Sequence, residues 1–369
     1  MYKTIEELVT RVDERNSDGT VSELIGVSID KCFIKSVANT NGTDLSKYKI
    51  IHKNDFAVSL MQVSRDGKIP VARLEEYEEA IMSPAYPIFR VKDKNIILPE
   101  YLEMWFKRPE FDREAAFIAI GGVRGSMPWE EFAKMKLPVP PIEKQRKIVN
   151  AYKIVTDRIA LKQKINDNLL NSVQAIFRSW FVDYDPFDGV CPSNWETGCV
   201  EDIAEFFDSM RKPLSSLERA DTERIYPYYG AVSIVDYVDD YIFDGEYLLV
   251  SEDGIYVVDE NGHPLIQHIS GKFWANNHAH ILKGKAGFNE DSLYLFLANT
   301  NMAPIVTGAA QPKINQANLK SFPITIPDSE TMLKFNNIIQ PFFDQRLTNE
   351  SEIKKLDALQ SLLLTRLVD

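Results

Sequence analysis

Twice along this chain an alternating apolar pattern gives way to a longer period. In LPVPPIEKQRKIV (Leu137 to Val149) the apolar positions Leu137 and Val139 alternate, two prolines follow, and helical spacing begins. In FPITIPDSETMLKF (Phe322 to Phe335) the same change recurs. A shift of 187 places Phe132, Met135, Leu137, Val139 and Pro140 on Leu319, Phe322, Ile324, Ile326 and Pro327. It also places Gly121 on Gly308, and Asp66-Gly67 on Asp253-Gly254. A period of this length indicates a duplicated domain, because solenoid repeats run to about 20–50 residues.

Each repeat has two parts. The first contains short strand-like runs, such as KNDFAVSLM, DDYIFDGEYLLVSEDG and KFWANNHAHILK, separated by Asp-Gly and similar turns. That pattern predicts a mixed α/β domain with much strand. The second part is one long helix, expected to run uninterrupted over 143–181 and again over 330–368. At the rise of an α-helix each would be about 60 Å long. The expected organisation is therefore 1–140 and 186–327 as globular domains, with 141–185 and 328–369 as long helical segments.

The helical segments share a seam. From Ile148, three–four spacing selects Tyr152, Val155, Ile159, Lys162, Asn166, Leu169, Val173, Ile176 and Trp180. Shifted by 187, it selects Phe335, Ile339, Phe342, Arg346, Asn349, Ile353, Leu356, Gln360, Leu363 and Leu367. Sustained spacing of this kind predicts a coiled-coil seam. Antiparallel pairing of Ile148 with Leu367 brings Asn166 opposite Asn349, where a buried Asn pair would fix register. The plainer alternatives are two amphipathic helices each packed on its own domain, and two Asn side chains left in solvent. The fold class expected is α+β: two similar domains separated by two long helices in an antiparallel coiled coil, with pseudo-twofold symmetry.

Composition narrows the function. Net charge is -12, and residues 186–327 hold nine Lys and Arg against twenty Asp and Glu. This argues against tight autonomous binding to nucleic acid, though it leaves room for a local basic groove. No run approaches the roughly 18 apolar residues of a membrane span. The start, MYKTIEELVTRVDER, is too charged for a signal peptide. Three cysteines without a CxxC pair indicate neither a disulfide framework nor a zinc site. A cytoplasmic protein without membrane attachment is expected.

The chain resembles the specificity subunits of type I restriction-modification systems. The resemblance covers the whole length. It is strongest in LPVPPIEKQRKIVNAYKIV, NSVQAIFRSWFVDYDP, CPSNWETGCVEDIAEFF, YPYYGA, FDGEYLLVSEDG, GKFWANNHAHIL and TGAAQPKINQANLKSFPITIP. Residues 1–120 match less well, although GGVRGSMPWEEFAKMKLPVP is family-like. The resemblance implies two target recognition domains, each reading one half of a split double-stranded DNA sequence. The helices would act as a ruler and a docking platform for modification (methyltransferase) subunits. Restriction subunits, which translocate DNA and cut it, would complete the complex. S-adenosylmethionine, ATP and Mg2+ would belong to those partners, and this chain would hold no cofactor and perform no catalysis.

A free-standing nuclease or methyltransferase, or a coiled-coil interaction protein, is the alternative. DYDPFD (Asp183 to Asp188) is the nearest approach to an adenine-methyltransferase N-P-P-Y motif and reads as a linker. No phosphate-binding GxxxxGK(S/T) loop occurs. Asp328 with Glu352 and Lys354 imitates a PD…ExK nuclease pattern, but one helix would separate the acids by roughly 36 Å. His278 and His280 lack an obvious third metal ligand, so no metal site is expected.

Base readout needs forked hydrogen-bonding groups on exposed loops, and phosphate contacts need cations or hydroxyls. In the first repeat Gln62, Arg65, Lys68, Arg124 and Ser126 meet that description. In the second, Tyr228, Tyr229, Asn276, Asn277, His278, Gln311 and Lys313 do.

Overall fold

The structure, a computed structural model, describes residues 1–36, 42–61, 63–121, 125–220, 222–308 and 310–368. Two of the expected readers, Gln62 and Arg124, lie outside the described residues. The chain divides into two compact units, Met1–Lys162 with Ser351–Asp369, and Gln163–Glu350. Each unit thus takes half of each long helix.

Both units are built on one scaffold. In the first, strand Tyr2–Thr4 pairs antiparallel with Lys136–Pro138, the strand that leads into the first long helix. In the second, Glu196–Cys199 pairs antiparallel with Pro323–Ile326, which leads into the second. A one-turn helix follows each opening strand, Ile5–Leu8 and Val200–Ile203. The two helices start alike. Thr4 donates its backbone N–H to Glu7 (2.7 Å), and Cys199 donates its own to Asp202 (2.8 Å), the reciprocal half of a capping box. Backbone bonds then tie each helix to its closing strand, Ile5 N to Met135 O and Val200 N to Phe322 O, both 3.0 Å.

Beyond the scaffold the units differ. The first has a four-stranded sheet in the order Val9–Val12, Ile88–Val91, Phe56–Val58, Val71–Arg73, with smaller two-stranded sheets. Phe56, Phe89, Phe106, Phe111 and Phe132 are fully buried in its core. The second has a six-stranded sheet in the order Ala204–Phe206, Ala279–Gly284, Phe243–Ser251, Ile266–Ala275, Tyr226–Tyr229, Ile234–Val238. Among the described residues, only the pairing of Tyr226–Tyr229 with Ile266–Ala275 is parallel there.

The long helices span Ile142–Phe181, 40 residues, and Ser329–Thr365, 37 residues. The second helix runs on through Pro341, which stands inside it. Pro341 is on the exposed face, where water can satisfy the carbonyl that its missing N–H leaves free. Every seam position is buried or half-buried, from Val155, Ile159 and Val173 on the first helix to Phe335, Ile339 and Leu367 on the second.

Within each unit the two helix halves run antiparallel. In the first, Gln360 donates to the Thr156 hydroxyl (2.9 Å), Glu352 pairs with Lys162 (2.7 Å) and Arg158, and Leu367 joins the cluster against which Ile148 packs. In the second, the Trp180 and Phe335 rings lie 5.7 Å apart, and Asn349 meets Asn166. Among the described residues no helix is long and apolar enough to cross a membrane.

Candidate nucleic-acid interface

In the second unit three polar segments converge at one end of the large sheet. Ile314 donates its backbone N–H to Glu252 (2.9 Å), and Glu252 donates its own to His278 (2.9 Å). Asp253 and Lys313 form an isolated β-bridge. This joins residues 252–253, 276–278 and 311–314, although Ile314 lies 62 positions after Glu252. Asn277, His278 and Gln311 are exposed there, and Lys313 is half-exposed. Tyr229 is half-buried, packed on Phe273.

The first unit repeats the arrangement. Met127, the counterpart of Ile314 under the 187 shift, donates its backbone N–H to Leu60 (2.8 Å). Gly125, at φ +72°, passes so close to Ser64 that a Cβ there would lie 2.4 Å from the hydroxyl oxygen. Gly125, next to Ser126, is therefore laid against the segment that carries Arg65 and Lys68. Arg65 is exposed, its charge shared with Asp66 at 2.8 Å, and the Lys68 amine is half-exposed. In both units, then, a segment before the closing strand clasps the segment around Asp-Gly.

Beneath the second cluster lies a polar network that the sequence reading missed. His280, fully buried, places Nδ1 2.6 Å from Asp208 and Nε2 2.8 Å from the Ile314 carbonyl. Gln316 donates to Asp208 (2.7 Å), and so does the Ile281 backbone N–H (2.9 Å). The Arg211 guanidinium reaches Glu252 (2.6 Å) and the Ala279 carbonyl (2.7 Å). Lys313 covers the other Glu252 oxygen at 3.0 Å. Burial works to raise both carboxyls. Hydrogen bonds from His280 to Asp208, and from Arg211 and Lys313 to Glu252, outweigh it and hold both below the usual carboxylate range. Asp208, Glu252 and His280 are close enough together to ligate a cation. Arg211 and Lys313 already supply positive charge at that spot, which makes the cluster an internal ion-pair network. The available signal was a histidine inside the apolar strand AHIL.

Several expected readers are relocated. Tyr228 is corrected to a core residue: it is 2% exposed, its ring lies under Arg219 at 5.0 Å, and its hydroxyl accepts from Leu214 N–H (2.9 Å). Asn276 is buried too, and its side-chain oxygen accepts the His278 N–H (2.9 Å), shaping the turn that presents Asn277 and His278. His278 and His280 do not share partners, since His278 pairs with Asp253 at 2.6 Å. Asp328 caps the second long helix through Glu330 and Thr331 N–H groups (both 3.1 Å) and belongs to the second unit, whereas Glu352 is paired with Lys162 in the first. The linker DYDPFD forms a short turn around Asp185–Phe187.

Comparison with known proteins places these features in a family. The model for the type I restriction modification DNA specificity domain matches twice, over residues 20–171 and 192–359. A Haemophilus influenzae chain named as a type I restriction enzyme specificity subunit is 39% identical over 128 residues, 35% of this chain and 32% of that one. The MjaIX specificity subunit of Methanocaldococcus jannaschii is 22% identical over 300 residues, 74% of this chain and 69% of that one. The crystal structure of the type I restriction-modification S subunit from M. genitalium aligns over 100% of this chain and 96% of that one, with a TM-score of 0.59. At 14% identity that likeness establishes the fold. The chain belongs to the type I restriction modification DNA specificity family and carries the family's domain twice.

Proposed function

We propose that this chain is the DNA sequence-specificity subunit of a type I restriction-modification enzyme, working in the cytoplasm, and that each unit reads one half of a split double-stranded target. The observation that carries the reading is the recurrence of the clasped loop pair in two units whose remaining structure differs. A shared scaffold with divergent loops suits two readers of different sequences. In the second unit Tyr229, Asn277, His278, Gln311 and Lys313 are the reading group. In the first Arg65, Lys68 and Ser126 are, together with Gln62 and Arg124 by their place in the sequence. Arg offers a fork to guanine and Asn or Gln a fork to adenine, while Lys and the hydroxyls suit phosphate.

The chain itself performs no reaction in this reading. Modification subunits, with S-adenosylmethionine, methylate the site it selects, and restriction subunits, with ATP and Mg2+, cut. The surplus of acid in the second unit means that few phosphate contacts are available. Affinity of the chain alone is therefore weak and salt-sensitive. Binding measured with and without the modification subunits tests this. The expected result is tight, sequence-selective binding only in the complex. Tight, salt-resistant binding by the isolated chain, or DNA cleavage by it with Mg2+, would contradict the reading.

A further inference from the structure

The loop cluster of the second unit carries two apolar side chains where solubility alone would place polar ones. Ile255 is 81% exposed and Tyr256 is 71% exposed. They form a tip held on both sides. Before them, Asp253 is tied to His278 and bridged to Lys313, and Gly254 turns the chain at φ +147°. After them, Val257 is buried in the core, and its carbonyl accepts from Leu265 N–H (3.1 Å). The tip is presented by fixed anchors, so little ordering remains to be done on contact.

The first unit shows the same feature with different residues. Met61 is 54% exposed, directly after Leu60, whose carbonyl receives the Met127 N–H. Ile120 is 71% exposed, directly after buried Ala119, and its segment 119–121 packs against the Val63–Asp66 helix beside Arg65. Both clasped loop pairs thus mix donors with exposed apolar groups. In the second unit Glu252 is paired with Arg211 and Lys313, and Asp253 is hydrogen-bonded to His278. The apolar tip projects beside these partnered acids.

We propose that Ile255 and Tyr256, and in the first unit Met61 and Ile120, press into duplex DNA and read it by apolar contact with base faces and thymine methyl groups. The inference rests on the DNA-specificity reading. Exposed Ile, Met and aromatic groups beside hydrogen-bond donors are the chemistry of methyl readout and of wedges that loosen a base step. It also explains how an acidic unit discriminates sequences with few cations.

The test uses the full chain assembled with its modification subunits. The probes are a duplex bearing the methylated motif mapped from cells, and the same duplex with each half-site scrambled in turn. I255S/Y256S is expected to lower discrimination at one half-site by about tenfold or more, because binding to the intact duplex falls further than binding to the duplex scrambled at that half-site. Permanganate reactivity of thymines in that half-site should fall with it. Y256F keeps the ring and should retain discrimination. Discrimination within about twofold of wild type in the double variant, or its loss in Y256F, would overturn the inference. A wild-type complex that binds intact and scrambled duplexes equally would instead sink the specificity reading on which it rests.

Discussion

Asn349 donates its side-chain N–H to the Asn166 side-chain oxygen at 2.8 Å, and the Gln345 side chain donates to the Asn349 side-chain oxygen in turn at 3.0 Å. Asn349 is 2% exposed, in a seam otherwise dominated by large apolar groups. A polar pair here costs stability relative to two leucines, and its hydrogen bond is made in only one register.

The first prediction separates those two effects. N349L alone leaves the Asn166 side-chain oxygen and the Gln345 amide without this partner and should destabilise by about 1–3 kcal/mol. N166L/N349L removes both polar groups and should recover that loss, while spin-label distances along the helices broaden as other registers become accessible. A double variant with unchanged, narrow distances would show that the pair does not set register.

The buried network gives a second prediction. Arg211→Ala strips Glu252 of a charged partner under the loop cluster and should cost about 3–5 kcal/mol. The pH dependence has a definite sign. Asp208 and Glu252 have folded pKa values below their unfolded ones, so their contribution is present above the ordinary carboxylate range. It is lost as pH falls through the folded values. Denaturant melts of wild type should weaken on acidification below about pH 4, and R211A should show a shallower acid loss. Parallel acid curves would contradict this.

A third prediction concerns Asp291, buried at the start of the helix Glu290–Ala298. Burial first, then the charges of Glu246 and Asp344, push its carboxyl up to about 7. Here the sign reverses. The folded state holds the proton that the unfolded chain has released, so stability falls as pH rises from about 4 to about 7. Burial, reinforced by Arg346, keeps the adjacent His268 imidazole down at about 4, and therefore neutral at pH 7. Asp291→Asn should raise stability at pH 8 by up to about 4 kcal/mol and by little at pH 4. An equal change at both pH values would contradict the assignment.

The helices were legible because three–four spacing, mostly of large apolar residues, persists over about nine turns, and Pro341, on the exposed face, leaves that seam intact. The clasped loops were legible through Asp-Gly and the glycine-rich segments, whose backbone needs are local. The burial of Tyr228 was not. It follows from the parallel pairing of Tyr226–Tyr229 with Ile266–Ala275, which sets Tyr228 opposite Trp274. Alternation within one strand carries no information about its neighbour. The Asp208–His280–Gln316 network was hidden for the same reason, since its members come together only when distant segments do.

The central claim is that this chain chooses the DNA sequence on which a methyltransferase acts. Methylation mapping of DNA from cells carrying the chain and its modification subunit, against cells lacking only this chain, tests it most directly. Loss of one bipartite methyl-adenine motif is the predicted result and would name both half-sites. Unchanged methylation, with the complex shown to assemble, would contradict the account.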